Sequence, residues 1–255
     1  MTTTTPPPAE GAAPGGPDTG YFGDSLPGCG ARSLPHVPGV MHRFVNVRGA
    51  RLHVAEAGSG EPVVLLHSFP QHWYAWRHVV PLLAGDYRLI CPDWRGFGWS
   101  QAPPRGYDTA SRTADILALL DALGLRRVRL IAHDWGAHAA FTAALQAPDR
   151  ISHLLAVNAA HPWLAQRRLL PQLWRFWYTA FWEYPGIGRR VLRNWPGLTR
   201  FLLRRGVAGP AVWQPGVGRH ADDLQLRVVP GAGHFLADER PAEVAEAARE
   251  LFGRS

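Results

Sequence analysis

Residues 131–138, IAHDWGAH, decide how this chain is read. An apolar strand end, VRLI (128–131), passes into small residues through a single carboxylate, Asp134. Two questions follow: what such a turn demands of its neighbours, and what chemistry a carboxylate at its crest serves.

On either side of this stretch the pattern alternates. RFVNVRG (43–49) and RLHVAEAG (51–58) look like the arms of a hairpin. PVVLLH (62–67), YRLICPD (87–93), VRLIAHD (128–134), LLAVN (154–158) and LQLRVV (224–229) read as short strands. Between them lie helical stretches such as ASRTADILALLDALG (110–124), whose Ile116, Leu119, Leu120 and Leu123 share one face. Strands alternating with helices predict an α/β fold, a mostly parallel sheet with helices on both faces. Residues 1–40 hold eight prolines and eight glycines without hydrophobic period, so a disordered tail is expected there, with order beginning near Met41. The sheet core is expected in two parts, 41–161 and 216–255. Between them, 162–215 is rich in Trp, Leu and Arg and holds no convincing strand, which predicts a helical lid over the sheet's C-terminal edge, where α/β ligand sites form.

Composition narrows the function classes. All 27 basic residues are arginine and the formal charge is +7, yet nine of these arginines fall among Trp and Leu between Arg167 and Arg205. That spacing suits the wet side of amphipathic helices, and no nucleic-acid-binding motif accompanies it, so no nucleic-acid partner is expected. No apolar run approaches the ~18 residues of a membrane span and no leader pattern is present, so a cytoplasmic protein without a membrane span is expected. Cys29 and Cys91 are too few for a disulfide framework, and no HExxH or Cys/His spacing suggests a metal.

A strand that turns sharply into a helix holds its turn residue in a strained conformation, and the positions two before, two after and three after must be small. Ala132, Gly136 and Ala137 meet that demand around Asp134. Aspartate tolerates positive φ better than most residues. Taken alone, Asp134 is equally well read as the cap of the helix that begins at Trp135. HSFP (67–70) follows an apolar strand and places the Phe69 N–H where it can form an oxyanion hole with the Trp135 N–H. DWRGFGWS (93–100) follows the next strand. Near the C-terminus, VVPGAGHF sets His234 among glycines just after a strand; a lone histidine there is more often structural, and it becomes a candidate base only as the last member of an ordered set.

With these residues in view, the chain resembles the α/β-hydrolase fold family, and within it the epoxide hydrolases related to haloalkane dehalogenases. HSFP, DWRGFGWS, HDWGAH, VNAAHPW (157–163) and PGAGHFLADERP (230–241) stand in that family's order, over about residues 41–205 and 218–255. The resemblance implies a mechanism without cofactor or metal, acting on a small apolar substrate. The Asp134 carboxylate attacks a saturated carbon and forms an alkyl ester. His234 activates a water against that ester, whose oxyanion the N–H groups of Phe69 and Trp135 hold. A lid tyrosine seven residues before a proline donates to the epoxide oxygen, and in YTAFWEYP (178–185) that position is Tyr178. The competing reading of Tyr178 is one more packed aromatic. Trp135 also suits the halide site of a dehalogenase, whereas Tyr178 favours an oxygen leaving group.

Two parts of the family's pattern are missing. The acid after its seventh strand and a second lid tyrosine have no counterpart, since no tyrosine follows Tyr184 and residues 206–223 hold no acid before Asp222. These 18 residues are too few for a strand, a helix and their loops, which need about 25. Asp222 and Asp223 precede the expected strand 224–229 while His234 follows it, placing them roughly 20 Å from the imidazole. Asn158 is the better surrogate, an amide able to accept the His234 ring N–H but without the charge that steadies an imidazolium. The expectation is an epoxide-hydrolase-like chain lacking a block near Pro215–Gly218, with strand 224–229 paired beside the strand ending at Asn158. The alternatives are a haloalkane dehalogenase, or a catalytically impaired or non-catalytic hydrolase-like protein.

Overall fold

The computed structural model describes residues 21–22, 33–159, 194–195, 197 and 227–253. Tyr178, the region near Pro215–Gly218, Asp222, Asp223 and nearly all of the expected lid lie outside these residues. Among the described residues, no helix is long and apolar enough to cross a membrane.

The chain folds around a sheet whose strand order is β1-β2-β3-β5-β4-β6-β7. The strands are β1 (Tyr21–Phe22), β2 (Val40–Val47), β3 (Ala50–Ala57), β4 (Glu61–Leu66), β5 (Tyr87–Pro92), β6 (Val128–His133) and β7 (Ile151–Val157). The expected hairpin joins β2 to β3 through Arg48 and Gly49, with φ of 45° and 74°. Two consecutive positive φ values give a tight turn whose twist matches that of the strands it connects.

β5, β4, β6 and β7 run parallel, with β1, β2 and β3 added antiparallel at one side. The continuous apolar run of β4 is explained by its central place. Val64 and Leu66 pack on one face against α2 (Thr109–Ala122) and α3 (Trp135–Gln146). Val63 and Leu65 pack on the other with Trp73, Trp76, α1 (Val80–Leu83) and α5 (Pro241–Phe252). A strand buried on both faces has no use for alternating polarity. The predicted helix face is present in α2, where Ile116, Leu119 and Leu120 are buried and Leu123 packs against the same cluster. Asp108 caps the helix by accepting the Ser111 N–H at 2.8 Å.

One buried ion pair was not expected. Arg95, from DWRGFGWS, meets Asp115 of α2 through two bonds of 2.5 Å, with Asp115 only 1% exposed. Removing one partner strands the other charge in the interior. We therefore expect Asp115→Ala to lower unfolding free energy by about 3–5 kcal/mol, read as a shift of the urea midpoint at unchanged m-value; a loss below about 1 kcal/mol would show that the guanidinium finds water instead.

Two expectations are corrected. Order does not begin at Met41: Leu34 and Val37 are 4% and 6% exposed, and Tyr21–Phe22 pairs with His42 and Arg43. Isolated apolar side chains between prolines bury singly and leave no period to read. At the other end, Arg227–Val229, the described part of the expected strand 224–229, is not strand, and β7 is the last strand of the described sheet. Here Arg227 turns to α5 and pairs with Glu246 (2.7 Å) and Glu250 (3.4 Å), while Val228 is 60% exposed.

Candidate active site

The parallel register gathers the candidate residues at one edge of the sheet. Leu66 of β4 lies beside Ala132 of β6, and His133 lies beside Val157 of β7. The loop HSFP, the turn at Asp134 and Asn158 therefore emerge side by side.

Asp134 has φ 46° and ψ −109°, the strained turn expected between strand and helix. Its backbone is fixed on both sides: its N–H donates to Val157 O at 3.1 Å, and its carbonyl accepts from Ala137 and His138. The small neighbours have a visible cause. A Cβ on Gly136 would stand 2.6 Å from Leu66 O and 2.8 Å from His67 O, so only glycine lets the helix start this close to the end of β4. The side chain of Asp134 makes no capping bond to α3. It turns instead toward Ser68, whose Oγ donates to Oδ2 at 2.7 Å, and toward His234, whose Nε2 lies 3.7 Å from the same oxygen. Both Asp134 and His234 stay partly open, with side chains 23% and 27% exposed.

Phe69 and Trp135 flank the carboxylate, their rings 5.9 Å apart. The loop carrying Ser68 and Phe69 is anchored by His67, which is wholly buried. His67 Nδ1–H donates to Ser68 O at 2.9 Å and Nε2 accepts the Trp94 N–H at 3.1 Å, so both ring nitrogens are satisfied in a neutral ring. Burial pushes its pKa down to about 4. The Trp94 indole N–H closes the arrangement by donating to His67 O at 2.8 Å. Beneath this loop Asp93 accepts from Trp73 N (2.7 Å), Trp99 N (3.0 Å) and His53 Nδ1 (2.8 Å). Burial alone would raise the Asp93 pKa; the hydrogen bond and charge of His53 lead the effects that outweigh it and hold the carboxyl below its ordinary range.

The His234 loop is held by its main chain. Asn158, at φ 46°, donates through Nδ2 to Gly233 O at 2.7 Å and to His234 O at 2.8 Å. The expected role of Asn158 is thus corrected: it meets His234 at the carbonyl, not at the imidazole, because its NH2 group faces two acceptors. His133 Nε2–H donates to the same carbonyl at 2.8 Å, while Gln71 Oε1 lies 3.2 Å from its Nδ1. The shorter contact takes the single proton of the neutral ring; burial, then the neighbouring His234, push the His133 pKa down to about 3. On the far side Glu239 of α4 (Leu236–Glu239) accepts the Gly233 N–H at 2.6 Å. Burial lowers the His234 pKa, opposed by the charges of Asp134 and Glu239, so the ring is a free base near neutral pH.

The structure therefore brings together Asp134, His234, Phe69, Trp135 and Asn158, while Tyr178 lies outside the described residues. Three contributors went unread in the sequence: Ser68, His133 and Glu239. Each sits inside a motif singled out for another residue, so the signal was adjacency alone.

A carboxylate at a strained strand-to-helix turn, facing an imidazole from a later loop, defines the nucleophile-elbow class of α/β proteins. A family model described as the alpha/beta hydrolase fold matches residues 61–186, and the chain has that fold. Epoxide hydrolase A of Mycobacterium tuberculosis is 38% identical over 179 residues, covering 66% of this chain and 54% of that protein. A Vigna radiata epoxide hydrolase structure matches with TM-score 0.59 at 27% identity, over 85% of this chain and 69% of that one. A haloalkane dehalogenase from Agrobacterium tumefaciens matches with TM-score 0.59 at 26% identity, over 84% and 69%. The chain spans about half the length of the curated relatives it matches.

Proposed function

We propose that this chain is a cofactor-free epoxide hydrolase acting on apolar epoxides through an Asp134 alkyl ester. The observation that carries the reading is the Asp134 carboxylate, lifted on a strained turn with His234 Nε2 3.7 Å away. One carboxylate oxygen attacks an epoxide carbon, the carbon–oxygen bond of the ring breaks, and the departing oxygen takes a proton from Tyr178. His234 then removes a proton from water, which adds to the Asp134 carbonyl carbon, and the oxyanion is held by the Phe69 and Trp135 N–H groups; as the ester bond breaks, the leaving oxygen takes the proton from His234, the acid proton of Asp134 returns to Tyr178, and the diol leaves with the carboxylate restored. Residues 162–215, expected as a lid, are rich in Trp and Leu, a composition that suits an apolar substrate.

A second reading is favoured by one specific feature: among the described residues, no carboxylate hydrogen-bonds the outer nitrogen of His234, and Asn158 engages only its carbonyl. An imidazole that no carboxylate orients through its outer nitrogen slows ester hydrolysis, leaving a protein that alkylates once and stalls. A halide leaving group is the third possibility, weakened by Tyr178. Incubation with a styrene-type epoxide separates these. Diol release with a transient mass gain is expected; a permanent gain marks the stalled form, and neither, over a panel of epoxides and haloalkanes, leaves a protein that only binds.

A further inference from the structure

We propose that Ser68 is a catalytic residue of this site, a side-chain donor to the oxyanion of the hydrolytic step; the proposal rests on the reading of Asp134 as the nucleophile. Ser68 is 1% exposed, and its hydroxyl has two oxygens in reach, Asp134 Oδ2 at 2.7 Å and Phe69 O at 3.1 Å. A hydroxyl has one proton to donate. The shorter contact is to a charged acceptor and takes it, since charge-assisted bonds are about twice as strong as neutral ones. A serine with a purely local role would be satisfied by Phe69 O within its own loop. Instead the hydroxyl crosses from the end of β4 to the end of β6.

That contact distinguishes the two oxygens of Asp134. Oδ2 is occupied by Ser68 and faces His234, while among the described residues Oδ1 accepts no hydrogen bond. A lone pair already engaged by a donor is a poorer nucleophile, so Oδ1 attacks and becomes the bridging oxygen of the ester. Oδ2 is then the ester carbonyl. When water adds to the carbonyl carbon and passes its proton to His234, the negative charge develops on Oδ2, the atom the Ser68 hydroxyl already addresses. The tetrahedral species collapses by breaking the bond between the carbonyl carbon and Oδ1, and the alkoxide leaves with a proton from His234. Ser68 keeps its own proton throughout, adding a donor to the backbone N–H groups of Phe69 and Trp135. His67 anchors its backbone: Nδ1–H donates to Ser68 O, so the loop that carries the hydroxyl is tied to a buried ring.

The distinguishing consequence is that the two chemical steps separate. Ser68→Ala and Ser68→Gly are each compared with the parent protein by rapid quench and intact mass after mixing with a styrene-type epoxide. Loss of one oxyanion donor slows clearance of the adduct by at least about tenfold, while adduct formation is unchanged or faster, because Oδ2 is released from its bond. A merely structural role for Ser68 slows both steps together, which overturns the proposal, as does equal clearance in parent and both variants. Two variants are used because the methyl of alanine and the freedom of glycine disturb the loop in different ways. If the parent itself forms neither adduct nor diol, the reading of Asp134 fails first and Ser68 falls with it. Adduct on Asp134 with unaltered clearance in the variants removes Ser68 alone.

Discussion

Asp134→Asn lowers diol formation from a styrene-type epoxide by at least about three orders of magnitude, with a thermal midpoint within a few degrees of the parent. The loss is expected because an amide oxygen at neutral pH does not displace an alkoxide from saturated carbon. The intact fold is expected because asparagine is, like aspartate, among the residues that tolerate φ near 46°, and its side-chain oxygen can still accept from Ser68. Neither Ala132, Gly136 nor Ala137 meets a larger side chain. Retention of more than a tenth of the activity by a correctly folded variant would mean that the reaction does not need the Asp134 carboxylate, as nucleophile or as base, and that the elbow has been misassigned.

The second large effect is on stability in mild acid. His67 and His133 are buried as neutral rings, with pKa values pushed down to about 4 and about 3 from 6.5. The unfolded chain protonates both near pH 6.5, the folded chain neither until well below. Stability from these rings is therefore complete above pH 6.5 and declines as pH falls toward 4. Each contributes a slope of about 1.4 kcal/mol per pH unit, so together roughly 3 kcal/mol is lost for each unit across that window. His72 and His234, also lowered chiefly by burial, act in the same direction. Asp93 adds its own loss only at lower pH, since a depressed carboxyl stabilises down to its folded value. Urea unfolding at pH 7, 6 and 5 measures the slope. His67→Gln, which does not titrate, lowers that slope by about 1.4 kcal/mol per pH unit, whatever stability the variant loses at pH 7. Stability that stays level between pH 6.5 and 5 would show that these histidines protonate in place.

The pattern of legibility follows from where information is stored. The core of the fold was readable because burial on both faces leaves an uninterrupted apolar run at Val63–Leu66, and because the elbow needs Gly136 for a contact that nothing larger permits. These are constraints on single residues. Cooperative contacts left less trace. Arg95 and Asp115 lie 20 residues apart and meet only through folding, and Glu239 bonds the Gly233 N–H because a short helix turns it back on its own loop. LQLRVV has the composition of a strand, yet strandness needs a partner, and Arg227–Val229 is not strand, with Arg227 meeting Glu246 and Glu250 of α5 instead. At Asn158 the sequence locates an amide at the sheet's edge but does not say whether the oxygen or the nitrogen faces the His234 loop, and it is the nitrogen that does.

The central claim is that an oxygen of Asp134 itself bonds to substrate carbon. A single turnover in water enriched in 18O, with protein in excess over epoxide, tests it most directly. If the carboxylate attacks, the diol carries unlabelled oxygen and the peptide containing Asp134 gains the heavy isotope, because water cleaves the ester at the carbonyl carbon. Label in the diol and none in the peptide would mean that water opens the ring without the aspartate ester, and would contradict the account.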